Sequence, residues 1–164
     1  MASRYKPQLR AYRVADGRHP LFDGTGAAEH GGRWNSPGYR VIYASWSYAG
    51  AIIERLAQTG TGRIPRHHRW IAIDVPPGVA IEEVGPSDIP GWDAADVSAS
   101  RAYGDRWLTE ARTVALVVPA VVGWPVERNV LFSQTHPDFK RVKASRPRMV
   151  RWDKRLFGRG DLQG

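Results

Sequence analysis

Three side chains that fall within 22 residues of one another could act together on one substrate: Arg33, Tyr43 and Glu54. Arg33 follows Gly31-Gly32 and precedes Trp34-Asn35-Ser36. Paired glycines let a backbone approach a ligand closely, and a guanidinium can fork onto a phosphate. Asn35 and Ser36 add neutral hydrogen-bonding groups, and Tyr43 offers a flat ring and a hydroxyl. Glu54 sits between Ile53 and Arg55, with Gly50 and Gln58 four residues away on either side, so no basic partner stands at helical spacing. Arginine on a pyrophosphate, an aromatic ring against a ring, and a carboxylate facing a developing cation would suit cleavage of a glycosidic bond in a nucleotide diphosphate. The same residues also suit blander roles: a glycine turn with Arg33 in solvent, a tyrosine packed in a core, and a glutamate on a wet helix edge.

Other constellations fail on spacing. Gly24-Thr25-Gly26 opens like a dinucleotide fingerprint, but Glu29 stands where its third glycine belongs. There is no glycine-rich phosphate loop ending in Lys-Ser/Thr. His67-His68 would point to opposite faces of a strand, and no third ligand is evident, so no metal is expected. Ser133, His136 and Asp138 are too close in sequence for a hydrolase triad, and no nucleophile-elbow glycines flank Ser133.

The elements that must carry Arg33, Tyr43 and Glu54 follow from pattern. Residues 10–38 are rich in glycine and polar groups and read as a long, turn-laden region. Val41–Ala44 is a short strand, and Ser45 or Ser47 caps a helix running to about Gln58, with Trp46, Ala49, Ile53 and Leu56 as its apolar stripe and Gly60 as its stop. Residues 69–75 form a strand ended by Pro76-Pro77. A short helix begins at Asp105, and strands follow at 114–118, with Val121-Val122 as a continuation, and at 129–132. The pattern predicts a single α+β domain spanning 1–164.

Composition narrows the class further. Apolar residues make up 42% of the 164 and charged residues 24%, a globular balance, and with no cysteine there is neither a disulfide framework nor a thiol nucleophile. No apolar run approaches the ~18 residues of a membrane span, and the N-terminus lacks the apolar stretch of a secretory signal, so the expected location is the cytoplasm. The net charge is +8, and nine basic against two acidic residues from Lys140 onward account for +7 of it. That segment, 140–164, could meet nucleic acid, an acidic protein or a phosphate, or serve only solubility. A basic nucleic-acid-binding module without that glycosidic-bond chemistry is therefore the competing functional class.

From Tyr12-Arg13 to about Phe157 the sequence resembles the RES-domain toxins of bacterial toxin–antitoxin modules. The resemblance is carried by Gly31-Gly32-Arg33-Trp34-Asn35, Val41-Ile42-Tyr43, Glu54-Arg55-Leu56, Gly104-Asp105-Arg106-Trp107-Leu108, Val118-Pro119, Glu127-Arg128-Asn129-Val130-Leu131, His136-Pro137-Asp138-Phe139 and Arg155-Leu156-Phe157. It implies an ADP-ribosyltransferase-like fold, with a split, mostly antiparallel sheet around an NAD-binding cleft. It also implies cleavage of the nicotinamide–ribose bond of NAD+, with ADP-ribose passing to a protein, to phosphate or to water and growth being arrested. Glu54 and Arg33 would then be catalytic, and Arg33, Trp34, Asn35, Tyr43, Asn129 and Ser133 would hold NAD+, with His136 at the rim. The implied partner is an Xre-type helix-turn-helix antitoxin that blocks the cleft and links the toxin indirectly to DNA. One position departs from the family pattern: the serine usual after the Val-Pro is Ala120, and Ser133 is the hydroxyl expected nearby.

Overall fold

The computed structural model describes residues 7–158, so the start of the chain and the last part of the basic segment, 159–164, lie outside the described residues. Eight strands and three α-helices follow one another as β1 (Leu9–Asp16), α1 (Thr25–His30), β2 (Val41–Ser45), α2 (Tyr48–Thr59), β3 (His68–Val75), β4 (Ile81–Glu83), α3 (Ser98–Thr109), β5 (Ala115–Pro119), β6 (Arg128–Ser133), β7 (Lys143–Ala144) and β8 (Arg148–Met149). The strands form one sheet in the order β4-β5-β6-β2-β1-β3-β7, with β8 also on β3. Every pairing is antiparallel except β4 with β5. The fold is α+β, as the sequence implies. No helix among the described residues is long and apolar enough to cross a membrane.

The sheet is nearly divided in two. β1 pairs with β3 along its whole length, Leu9 opposite Val75 through Asp16 opposite His68, and β2 pairs with β6 from Val41 opposite Ser133 to Ser45 opposite Asn129. Between β1 and β2 the ladder has one position, Tyr12 opposite Ser45. Side chains alternate across these strands, so each half contributes to two layers. One face carries Ala11, Ile42, Ile71, Ile73, Val117, Val130 and Phe132, closed over by Leu21, Val79 and Val142. On the other face α3 covers the β2–β6–β5 half, with Trp107 and Trp34 against Leu116, Val118 and Leu131. α2 covers the β1–β3 half, where Ala51 meets Val14 beside Tyr12 and Trp70.

Four expectations need correction. β1 lies partly in the region read as turns; its alternation is interrupted by Arg10 and Arg13, and it is secured instead by the β3 ladder and by Arg10 Nε on Asp74 at 2.7 Å. α2 is capped by Ser47, whose Oγ accepts from Gly50 N at 2.9 Å, but its buried residues are Gly50, Ala51 and Leu56. Trp46 and Ile53 from the expected stripe are 39% and 41% exposed, because the small residues bring the helix onto β1 along a different face. α3 starts seven residues earlier than Asp105; Gly104 obscures its pattern. Finally, Val121-Val122 do not extend β5, since the chain turns after Pro119 and Ala120 N bonds to Glu127 O at 3.3 Å.

Candidate active site

A cleft of about 530 Å³ opens where the sheet is split. Its lining includes Arg13, Gly32, Arg33, Trp34, Tyr43, Glu54, Gln58 and Asn129. Its two walls are built differently.

The wall on the α3 side is the loop 31–36, which lies along the helix and is bonded to it repeatedly. Ser100 Oγ donates to Arg33 O at 2.7 Å, Arg101 Nε to Gly32 O at 2.8 Å, and Asp105 accepts from Ser36 N at 2.8 Å and Ser36 Oγ at 2.5 Å. Gly104 lets the two segments touch: a Cβ there would sit 1.7 Å from Trp34 O. Arg33 projects from this wall, its Nη1 donating to Trp92 O (3.1 Å) and Ala94 O (2.8 Å). Two carbonyls on one nitrogen fix the guanidinium plane while its remaining N–H groups stay available for an anion.

Tyr43 forms the floor. Its hydroxyl donates to Asn35 Oδ1 at 2.6 Å and accepts from Trp34 N at 3.1 Å. Burial pushes its ionisation well above the usual tyrosine range. The close approach of Gly32 is required here, since a Cβ on it would lie 2.5 Å from the Tyr43 hydroxyl.

The opposite wall comes from α2 and β1. Glu54 Oε1 accepts from Asn129 Nδ2 at 3.1 Å, and Asn129 Oδ1 accepts in turn from Ser45 Oγ at 3.1 Å. The helix carrying Glu54 is held at its N-terminus by Glu127, whose Oε2 accepts from Ser47 Oγ at 2.8 Å, a favourable place for a carboxylate. Arg13 spans the gap in the sheet: its Nη1 donates to Tyr43 O at 2.8 Å, giving a strand carbonyl the donor that a full ladder would have supplied. Its Nε is buried without a partner. Burial, with Arg55 nearby, pushes the Arg13 guanidinium down to about 10, still charged at neutral pH.

The structure thus brings Arg33, Trp34, Tyr43, Glu54 and Asn129 into one cleft and leaves two expected contacts outside it. Asn35 is wholly buried; its Nδ2 donates to Ala27 O and Ser36 O and its Oδ1 holds Tyr43, so its bonding capacity is spent on positioning the floor. Ser133 is buried at the far end of β6, opposite Val41 and about 13 Å along the strand from Asn129. His136 does not line the cleft either: its Nδ1 accepts from Asp138 N at 3.0 Å, capping the 3-10 turn Pro137–Arg141, and its Nε2 donates to Ala111 O at 3.1 Å. Ala120 is buried between the lining residues Pro119 and Val121. Sequence reasoning gave Arg13 no role, because its place in the cleft arises from pairing across the sheet; an arginine in the midst of an alternating apolar segment is the signal that marks it. No group of His, Asp or Glu that could hold a metal is found among the described residues.

Comparison with known proteins places this architecture. The RES domain family matches residues 10–153, and the chain belongs to that family. It is similar to the Prs ADP-ribosylating toxin of Sphingobium sp. (strain YBL2), 34% identical over 158 residues that cover 94% of each chain. It is also 32% identical over 124 residues to Toxin Res of Pseudomonas putida, covering 74% of this chain and 83% of that one. Among solved structures, the crystal structure of the M. tuberculosis MbcT–MbcA toxin–antitoxin complex aligns with a TM-score of 0.70 over 89% of this chain and 85% of that one, at 19% identity, a likeness of fold.

Proposed function

We propose that the chain is the toxin of a toxin–antitoxin pair, binding NAD+ in the cleft and breaking its nicotinamide–ribose bond, with ADP-ribose passing to a protein side chain, phosphate or water. The observation that carries this reading is the meeting of a carboxylate held by Asn129 with two guanidinium groups, one of them with an unpartnered buried Nε, in a single cleft. The donor set fits a dinucleotide: Arg13 and Arg33 offer N–H groups to phosphate or ribose oxygens, and the Gly32–Tyr43 contact leaves a flat floor for a ring. NAD+, when bound, supplies a cationic nicotinamide that leaves as a neutral molecule, so the chain needs no strong general acid.

What the chain's own groups do follows from their placement. Asn129 points the Glu54 carboxylate and restricts its rotation, which makes it a pre-set negative charge facing a sugar carbon that becomes more positive. Arg33, braced on Trp92 O and Ala94 O, holds the nucleotide from the opposite wall. Ala120 places no hydroxyl beside the cleft, which favours an acceptor delivered from outside, such as a protein side chain. The named similarity to an ADP-ribosylating toxin supports the chemistry, and the likeness of fold to a toxin–antitoxin complex supports an antitoxin partner; that this partner is of the Xre helix-turn-helix type and covers the same cleft is part of the proposal. Incubating the full chain with NAD+ and following nicotinamide by chromatography tests the reading. Release by wild type and its loss in Glu54→Gln are expected; equal release by both would overturn the assignment.

A further inference from the structure

The basic segment is part of the sheet, and that gives its charge a geometry. β7 pairs Lys143 opposite Asp74, and β8 pairs Arg148 opposite Trp70, four residues apart on β3 and so about 13 Å along the strand. Between them Ser145 N bonds to Ala72 O at 2.8 Å, and Ser145 Oγ accepts from Ala72 N at 2.9 Å. Val142, Val150 and Phe157 anchor the segment as buried pegs. From 140 to 155 the segment holds eight cations and one acid. The acid, Asp153, bonds to Arg155 at 2.6 Å, and the other seven cations, all exposed, have no carboxylate within 4.0 Å among the described residues. A groove of about 360 Å³ runs beside them, floored by Tyr12 and Trp70 and edged by Lys143 and Arg148, and its carboxylate, Asp74, is already paired with Arg10 at 2.7 Å.

We propose that this rigid strip, residues 140–155 at the β3 edge, docks the phosphate backbone of duplex DNA. A protein partner fits less well: protein interfaces exclude charge, lysine above all, from their cores and rely on apolar anchors. Here seven uncompensated charges surround one strongly exposed apolar residue of the strand segment, Met149 at 68%. A single strand fits less well too, because it needs open aromatic platforms. The Trp70 ring is covered by the Arg148 guanidinium at 5.5 Å and the Tyr48 ring at 5.2 Å, and Trp152 is tied to Pro65 O. What remains is a row of cations on a fixed backbone, which reads phosphates without reading bases. None of these cations lines the cleft, and β1 and β3 lie between.

The test is fluorescence anisotropy of a labelled 20-base-pair duplex titrated with the full chain across a salt series. Wild type is expected to lose more than about 100-fold in affinity between about 50 and 200 mM salt. The variant K143Q/R146Q/R148Q/R151Q is expected to bind at least ~30-fold more weakly at about 50 mM, with a log–log salt slope shallower by roughly 3 to 4. If those four changes prevent folding, R146Q alone, between the two short strands, is expected to lower the slope by about 0.9. Nicotinamide release by the quadruple variant stays at the wild-type rate, which separates this proposal from the NAD+ reading. Absence of salt-dependent binding by wild type, an unchanged slope in the variants, or a glutamate 20-mer binding as tightly as the duplex would each overturn it.

Discussion

The two walls of the cleft solve opposite problems. On the α3 side the polar groups of residues 31–36 are largely consumed by the helix and by Tyr43, and only the Arg33 guanidinium is left over. On the α2 and β1 side the hydrogen bonding is sparse: Glu54 has one protein donor, and the Arg13 Nε has no acceptor. A wall with its bonds completed gives shape, whereas one with bonds left open has something to offer a ligand. Buried polar groups without partners are costly, and the unpartnered Nε of Arg13 belongs to a side chain that lines the cleft, whereas those of His68 and Arg69 do not.

The sharpest way to break this comparison is at the finished wall. Gly104→Ala sets a Cβ against Trp34 O, and the helix cannot move away without losing the Ser100 and Asp105 bonds. A loss of about 3 kcal/mol or more in urea unfolding is expected, together with loss of NAD+ binding. At the open wall the prediction reverses. Glu54→Gln keeps the amide–carbonyl contact to Asn129 and should leave the melting temperature within about 2 °C, while turnover of NAD+ falls by about 10²–10³-fold.

Between those extremes lies Arg13. Its ionisation is lowered to about 10, so the cation is present throughout the neutral range and is lost as pH rises through that value. NAD+ affinity measured by calorimetry should be flat from pH 6.5 to 9 and then weaken, and Arg13→Gln should bind about tenfold more weakly at pH 7 and lose the alkaline step. Arg13→Gln binding NAD+ as tightly as wild type at pH 7 would remove Arg13 from the ligand's reach. The smallest effect is expected at Ser133→Ala, whose buried side chain is not among those lining the cleft: NAD+ turnover within about twofold of wild type, by the same chromatographic assay.

Legibility in the sequence followed the same division. β2, β5 and β6 could be read as short apolar runs, β3 by its alternation, and α2 by its Ser47 cap and Gly60 stop, although the stripe read for α2 was not its buried face. β1 could not, since Arg10 and Arg13 interrupt its alternation and its stability comes from the β3 ladder, sixty residues away. α1 has six residues, none buried, and no side-chain cap, so it left no pattern to detect. The first half of α3 was hidden by Gly104, the residue that brings Trp34 against it. In the cleft, Arg33, Tyr43 and Glu54 were accessible as local chemistry, while Asn35 looked like a ligand contact because its type is right and its burial is invisible in one dimension. Ser133 shares a strand with Asn129, and only the folded chain shows that Asn129 lines the cleft while Ser133 does not.

The lone ladder position between Tyr12 and Ser45 has a mechanical consequence. Two halves that share one ladder position have little backbone bonding in common, so what couples them is the side-chain layer running from Ile73 and Ala11 to Ile42 and Phe132. The guanidinium of residue 13 adds a hydrogen bond across that seam, so a side chain that lines the cleft also ties β1 to β2.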